Sequence, residues 1–258
     1  MQTLESSDFL SKTGIGILYI AHGRAFTTEA LLSAESFKKQ SQLKICLHTD
    51  QKVDSPYIDY IHFINPQHVR AKVDFMDRTP FEMTLYLDSD TFCNMDILDV
   101  FDLFPQFDIA AAHDFARKRK KYSDLIEEYD SIPYSFPEVN GGILAYYQNS
   151  QVTEFFNLWK KYFYKFFEIT NGWDQPSCRI ALWESGVKLA VLPIEYNVRS
   201  KKNRKKSRGM SQKAIHGMEH LKPRIFHMHY DLRVHKGRIK KISLERVLKF
   251  CRRNCYKY

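Results

Sequence analysis

Apolar positions along the chain fall into short blocks of two kinds, and their spacing assigns most of the secondary structure. Gly16 to Gly23 carries the unbroken run Ile17-Leu18-Tyr19-Ile20 and predicts a buried strand followed by a turn. Thr27 to Lys39 places Ala30, Leu31, Ala34 and Phe37 on one stripe of a helix, and Lys44 to Leu47 predicts a second strand ending at His48-Thr49-Asp50. That opening is β-α-β, the unit of open α/β sheets, in which ligands bind at the carboxyl ends of the strands. Further strands are predicted at Tyr60–Phe63, Thr84–Leu87, Asp108–Ala112, Ile143–Tyr146, Val187–Leu192 and Arg224–Tyr230. Helices are predicted at Val69–Met76, Gln151–Phe167, Ser177–Trp183 and Leu244–Phe250, with a short helical connection at Met95–Leu103. Strands alternating with helices predict an α/β domain.

One strand ends abruptly in acid. Thr84-Leu85-Tyr86-Leu87 runs into Asp88-Ser89-Asp90, and side chains two apart on a strand share a face, so both carboxylates converge beyond the sheet. Paired oxygen ligands suit a hard divalent cation that keeps positions open for phosphates. The plainer alternative is an acidic turn that stops a strand. Asn140-Gly141-Gly142, before an apolar strand, reads either as a turn or as backbone that comes close to a ligand. Asp174 before Gln175-Pro176 reads as a helix cap, and Ala21, His22 and Asp50 lie at the ends of the first two strands.

Pro80 to Thr91, Asn140 to Leu144, Asp174-Gln175 and a late histidine, His227 or His229, form an ordered set. The set resembles the GT-A glycosyltransferases that use nucleotide-diphosphate sugars, especially the group around glycogenin and the lipopolysaccharide galactosyltransferases, over about residues 14–230. The resemblance implies a Rossmann-like fold with a central mixed, mostly parallel sheet flanked by helices, and transfer of a hexose from a nucleotide diphosphate, UDP in the first instance, to an acceptor hydroxyl on a glycan, glycolipid or protein. It further implies Mn²⁺ or Mg²⁺ held by Asp88, Asp90 and His227 or His229. The donor would be met by Ala21, His22, Asp50, Arg70 or Lys72, Asp88, Ser89, Asn140, Gly141 and Gly142. Asp174 and Gln175 would face the sugar, with Gln175 beneath its anomeric carbon, and Asp114 would end the strand next to sugar or acceptor. The lean is to retention of configuration, with Asp114 or Asp174 as the base if the reaction inverts. One departure is plain: the Gly-x-x-Lys-Pro-Trp of that group is absent, and Lys236 is its nearest substitute.

Composition narrows the alternatives. The 258 residues, 44% hydrophobic and 14% aromatic, suffice for one sizeable core. The net charge of +9 is uneven. Arg199–Arg208 holds seven basic residues and residues 236–258 hold nine basic and one acidic, leaving 23 basic against 29 acidic elsewhere. A body of that sign argues against a nucleic-acid partner. The expected layout is a loose tail over 1–13, the catalytic domain over 14–235, and a basic tail over 236–258 suited to peripheral contact with an anionic membrane. The five cysteines show no paired spacing, and the start resembles no signal peptide, so a cytoplasmic protein with reduced thiols is expected. Two other readings remain at this level: a sugar nucleotidyltransferase, for which His22-Gly23-Arg24-Ala25-Phe26 is poor in glycine, and a non-catalytic basic binding module.

Overall fold

The computed structural model describes residues 1–258 except 10, 11, 13, 115, 200–222, 228–242 and 257–258. In chain order its strands are β1 (Gln2–Thr3), β2 (Ile15–Ile20), β3 (Lys44–Thr49), β4 (Tyr60–Phe63), β5 (Met83–Leu87), β6 (Thr91–Cys93), β7 (Ile109–His113), β8 (Val139–Tyr147), β9 (Leu189–Leu192), β10 (Val198–Arg199) and β11 (Ile225–His227). The α-helices are α1 (Arg24–Lys38), α2 (Lys72–Phe75), α3 (Lys120–Ser123), α4 (Glu127–Asp130), α5 (Ser150–Lys165), α6 (Phe167–Thr170), α7 (Gln175–Glu184) and α8 (Leu244–Tyr256). The main sheet runs β1-β4-β3-β2-β5-β8-β7-β9, and a small sheet runs β10-β11-β6. Only the β5–β8 and β7–β8 pairings of the main sheet are antiparallel, so the expected mixed, mostly parallel sheet is present.

Strand alternation sorts the core onto two faces. Ile17, Tyr19, Ile45, Leu47, Leu85 and Leu87 pack with Ala30, Ala34 and Phe37 of α1. Their neighbours Leu18, Cys46 and Tyr86 pack with Phe155, Trp159 and Phe163 of α5 and Cys178 and Ala181 of α7. Each buried Ile, Leu or Phe among them stabilises the fold by about 1.5–3 kcal/mol of transfer free energy. The helices therefore cover both faces, and the strand tips are left to form a cleft.

Four expectations are corrected. Residues 2–9 are not a loose tail: β1 pairs in parallel with β4, and Leu4 and Phe9 are buried because they supply apolar cover at the sheet edge. Asn140-Gly141-Gly142 is not a turn but part of β8, because β5 and β7 ladder onto that strand from both sides. The helix expected over 69–76 shortens to α2, since Val69 is 75% exposed and the stripe has nothing to pack on at its start. Part of the expected basic tail is instead α8, whose Leu244, Val247 and Cys251 bury against Phe92, Val198 and Phe226. Residues 236–242, with Lys236, lie outside the described residues.

Candidate active site

The acidic strand tip meets a histidine from the far end of the chain. β6 starts one residue after Asp90 and pairs antiparallel with β11, in a register that sets His227 opposite Thr91. His227 Nε2 thereby lies 3.2 Å from Asp90 Oδ1 and 3.7 Å from Asp88 Oδ2, and one ligand atom from each residue falls within 4.8 Å of the others. The donor set fits a divalent cation in detail. His227 Nδ1 is 2.8 Å from Asn197 Oδ1, an acceptor, so Nδ1 faces that amide and Nε2 is the nitrogen turned to the two carboxylates. Asp88 Oδ1 accepts from Tyr86 Oη at 2.8 Å and lies 3.3 Å from Lys72 Nζ, which turns Oδ2 toward the histidine. Beneath them runs Gly142, where a β-carbon would fall 2.4 Å from Asp88 Oδ2 and 2.6 Å from His227 Cε1.

Asp88, Asp90, His227 and Tyr86 line a cleft of about 540 Å³ together with Ala21, His22, Arg70, Lys72, Ser89, Asp114, Asn140, Gly141, Trp173, Asp174 and Gln175, a volume in the usual range for small-molecule sites. Lys72 is buried, and its ammonium reaches Asp174 Oδ2 at 3.1 Å and the Gly141 carbonyl at 3.1 Å as well as Asp88. Burial disfavours that charge, but Asp174 and Asp88 outweigh it and hold Lys72 above its ordinary pKa. Burial likewise opposes ionisation of Asp174, and Lys72 and Arg70 reverse it, holding the carboxyl below its ordinary value. The side chain of Asp174 does not cap α7; its carboxylate is committed to Lys72 and to Arg70 Nε at 3.5 Å.

Gln175 is aimed by a buried acid. Its Nε2 donates to Glu138 Oε1 at 2.9 Å and to the Val139 carbonyl. Because both partners accept, the amide nitrogen lies on their side, and Oε1 makes no hydrogen bond among the described residues. Glu138 also accepts from Tyr129 Oη at 2.9 Å and from Arg179 Nη1 at 3.1 Å. Burial pushes the Glu138 carboxyl above its ordinary value, against those three donors. Asp114 is similarly engaged: Oδ1 accepts from the Ala116 amide at 2.7 Å, and Oδ2 from Asn140 Nδ2 at 3.0 Å and Arg199 Nη1 at 3.2 Å.

Of the residues singled out in the sequence, two do not line the cleft. Asp50 instead accepts from the Gly23 amide at 2.7 Å and braces the turn into α1, and Gly142 lies under the acidic pair. Ser89 lines the cleft while its hydroxyl donates to Glu29 at 3.1 Å. His229 lies outside the described residues. Sequence reasoning gave no site role to Tyr86, Glu138 or Trp173. Tyr86 was within reach of it, since it shares a strand face with Asp88; Glu138 was not, because its partners are 9, 37 and 41 residues away.

No protein-family model matches the sequence, and no curated protein matches it. Solved structures do. The galactosyltransferase LgtC, in complex with donor and acceptor sugar analogues, superposes with a TM-score of 0.58 at 13% identity, over 92% of this chain and 95% of that one. The apo form of the glycosyltransferase GlyE of Streptococcus pneumoniae superposes with a TM-score of 0.59 at 18% identity, over 96% of this chain but only 61% of GlyE. At such identities the likeness is one of architecture, and together with the mixed sheet and its covering helices it identifies the fold of this chain as that of the GT-A glycosyltransferases.

Proposed function

We propose that the protein is a divalent-metal-dependent glycosyltransferase that moves a hexose from a UDP-sugar to an acceptor hydroxyl with retention. The observation that carries this reading is the meeting of Asp88, Asp90 and His227 in the wall of the cleft. These three residues would hold Mn²⁺ or Mg²⁺, which when bound offsets negative charge on a departing nucleotide diphosphate. In the transfer the acceptor oxygen bonds to the anomeric carbon, the bond from that carbon to the diphosphate oxygen breaks, and the hydroxyl proton leaves with the diphosphate. Asp174, kept ionised by Lys72 and Arg70, accepts hydrogen bonds from sugar hydroxyls. Gln175 Oε1 offers a neutral dipole to the positive charge that grows on the sugar ring. Retention is favoured because an inverting enzyme needs a carboxylate with free lone pairs near the acceptor, and both Asp114 and Asp174 are engaged.

UDP-glucose and UDP-galactose are the donors to try, by melting-temperature shift and by Mn²⁺-dependent hydrolysis without acceptor. Asp90→Asn is expected to abolish both responses with the fold intact. Full turnover in that variant refutes the metal assignment, and no nucleotide-sugar response in the parent refutes the transferase reading. The acceptor glycan, glycolipid or protein, and contact with an anionic membrane through the basic C-terminal residues, belong to this proposal. No helix among the described residues is long and apolar enough to cross a membrane.

A further inference from the structure

The cleft holds more guanidinium than its carboxylates use. Asp114 is 5% exposed at its side chain and carries one charge, yet two arginines stand over it, Arg199 at 3.2 Å from Oδ2 and Arg119 at 3.9 Å from Oδ1. The Arg119 separation is beyond hydrogen-bond range. Its Nε is buried without a partner, and among the described residues its guanidinium makes no hydrogen bond at all. Among the described residues Arg199 donates one, to Asp114. Both side chains are more than a third exposed and line the cleft, so their remaining N–H groups face whatever enters it. Such unfilled planar forks match a carboxylate or a phosphate.

A flat apolar surface shares the same cleft. Trp173 is 46% exposed, with the Arg70 guanidinium 5.2 Å and the Lys121 ammonium 5.7 Å from its ring centre. The exposed part of the indole offers an apolar contact to the C–H side of a sugar ring, and the two cations that stand over the ring add to the positive potential around it. On the transferase reading a nucleotide diphosphate would meet the cation that Asp88, Asp90 and His227 would hold, while Lys72 is paired with Asp88 and Asp174.

Resting on the transferase reading, we propose that the acceptor is a sugar bearing an anionic group, a phosphate or carboxylate, held by Arg119 and Arg199 with its ring against Trp173. Asp114 then acts as the brace that keeps the guanidiniums together, and not as a base.

Calorimetric titration of the full chain, preloaded with UDP and Mn²⁺, tests this with glucose 6-phosphate, glucuronate and glucose as probes. The charged probes are expected to bind at least about tenfold more tightly than glucose, a difference of ~1.4 kcal/mol. Arg119→Gln and Arg199→Gln should each lose about tenfold for the charged probes while UDP affinity is kept, and Trp173→Ala should weaken all three probes. Both arginines are partly exposed, so the fold is expected to survive their loss. Equal affinity for charged and neutral probes overturns the proposal, as does charged-probe binding unaltered in both arginine variants. Loss of UDP affinity with probe binding unchanged assigns the guanidiniums to the donor and overturns it too. A parent chain that takes no UDP with Mn²⁺ fails the transferase reading separately. The same titration in EDTA then decides, by the response of the arginine variants, whether an oxyanion site exists.

Discussion

Gly142→Ala separates metal binding from folding. In β8 this residue passes under the acidic pair, and its carbonyl accepts from the Asp88 amide at 2.8 Å. An added β-carbon would stand 2.4 Å from Asp88 Oδ2 and 2.6 Å from His227 Cε1, where ordinary contact begins at 3.4 Å, so Oδ2 must retreat by about 1 Å. Metal–ligand distances tolerate only about 0.2 Å, and the same methyl pushes on two of the three ligands. Loss of a partner that merely orients a ligand already costs roughly 10–100-fold in metal affinity, and direct displacement of ligands should reach at least that, ~1.4–2.7 kcal/mol. The fold should survive, because the Asp88 side chain is 28% exposed and can swing outward; overpacking of this kind costs about 1–3 kcal/mol. Gly141→Ala supplies the comparison, since its β-carbon would meet Trp159 at 3.6 Å and Asp174 Oδ2 at 3.8 Å, both ordinary contacts. Mn²⁺ titration followed by calorimetry, with melting curves in Mn²⁺ and in chelator, reads both quantities. Parent-like Mn²⁺ affinity in Gly142→Ala, or an equal loss in Gly141→Ala, would refute the reasoning.

Gln175→Ala should lower kcat by at least about tenfold with donor KM little changed, as for a contact made mainly in the transition state; an unchanged kcat at saturating donor and Mn²⁺ removes Gln175 from the reaction. Glu138→Gln leaves the Arg179 guanidinium, 1% exposed, without its buried counter-charge and should cost about 3–5 kcal/mol in urea denaturation, so a loss below about 1 kcal/mol counts against the network. His48 is buried against Phe9 and His62, and burial, reinforced by His62 and Arg78, holds its pKa well below 6.5. The neutral ring therefore contributes stability that is intact above the ordinary value of 6.5 and is lost as pH falls beneath it, at up to about 1.4 kcal/mol per pH unit. His48→Phe should flatten the slope of unfolding free energy between about pH 7 and pH 5 by close to one proton, and an identical slope would refute the assignment.

What could be read from the chain alone was whatever depends on neighbours a few residues apart. The apolar runs of Ile17–Ile20 and Thr84–Leu87 predict strands because alternation is a local period, and the same alternation sets Asp88 beside Asp90 at one tip. The stripe of α1 and the aromatic face of α5 were legible for the same reason. The tertiary structure decided whatever depends on register or on which of two partners a side chain reaches. The antiparallel pairing of β6 with β11 brings His227 to the acids across more than a hundred residues, and no local period encodes that pairing. Asp174 satisfies every local rule for a helix cap, yet its carboxylate turns to Lys72 because an ion pair in a buried site outweighs a cap worth about 1 kcal/mol. Asp50 stands at a strand end that local reasoning assigns to a ligand, and the nearer unpaired amide of Gly23 takes it. Periodicity determines which face a residue occupies; only the packed sheet brings together partners far apart in sequence, and the chemistry of this cleft rests on those partners.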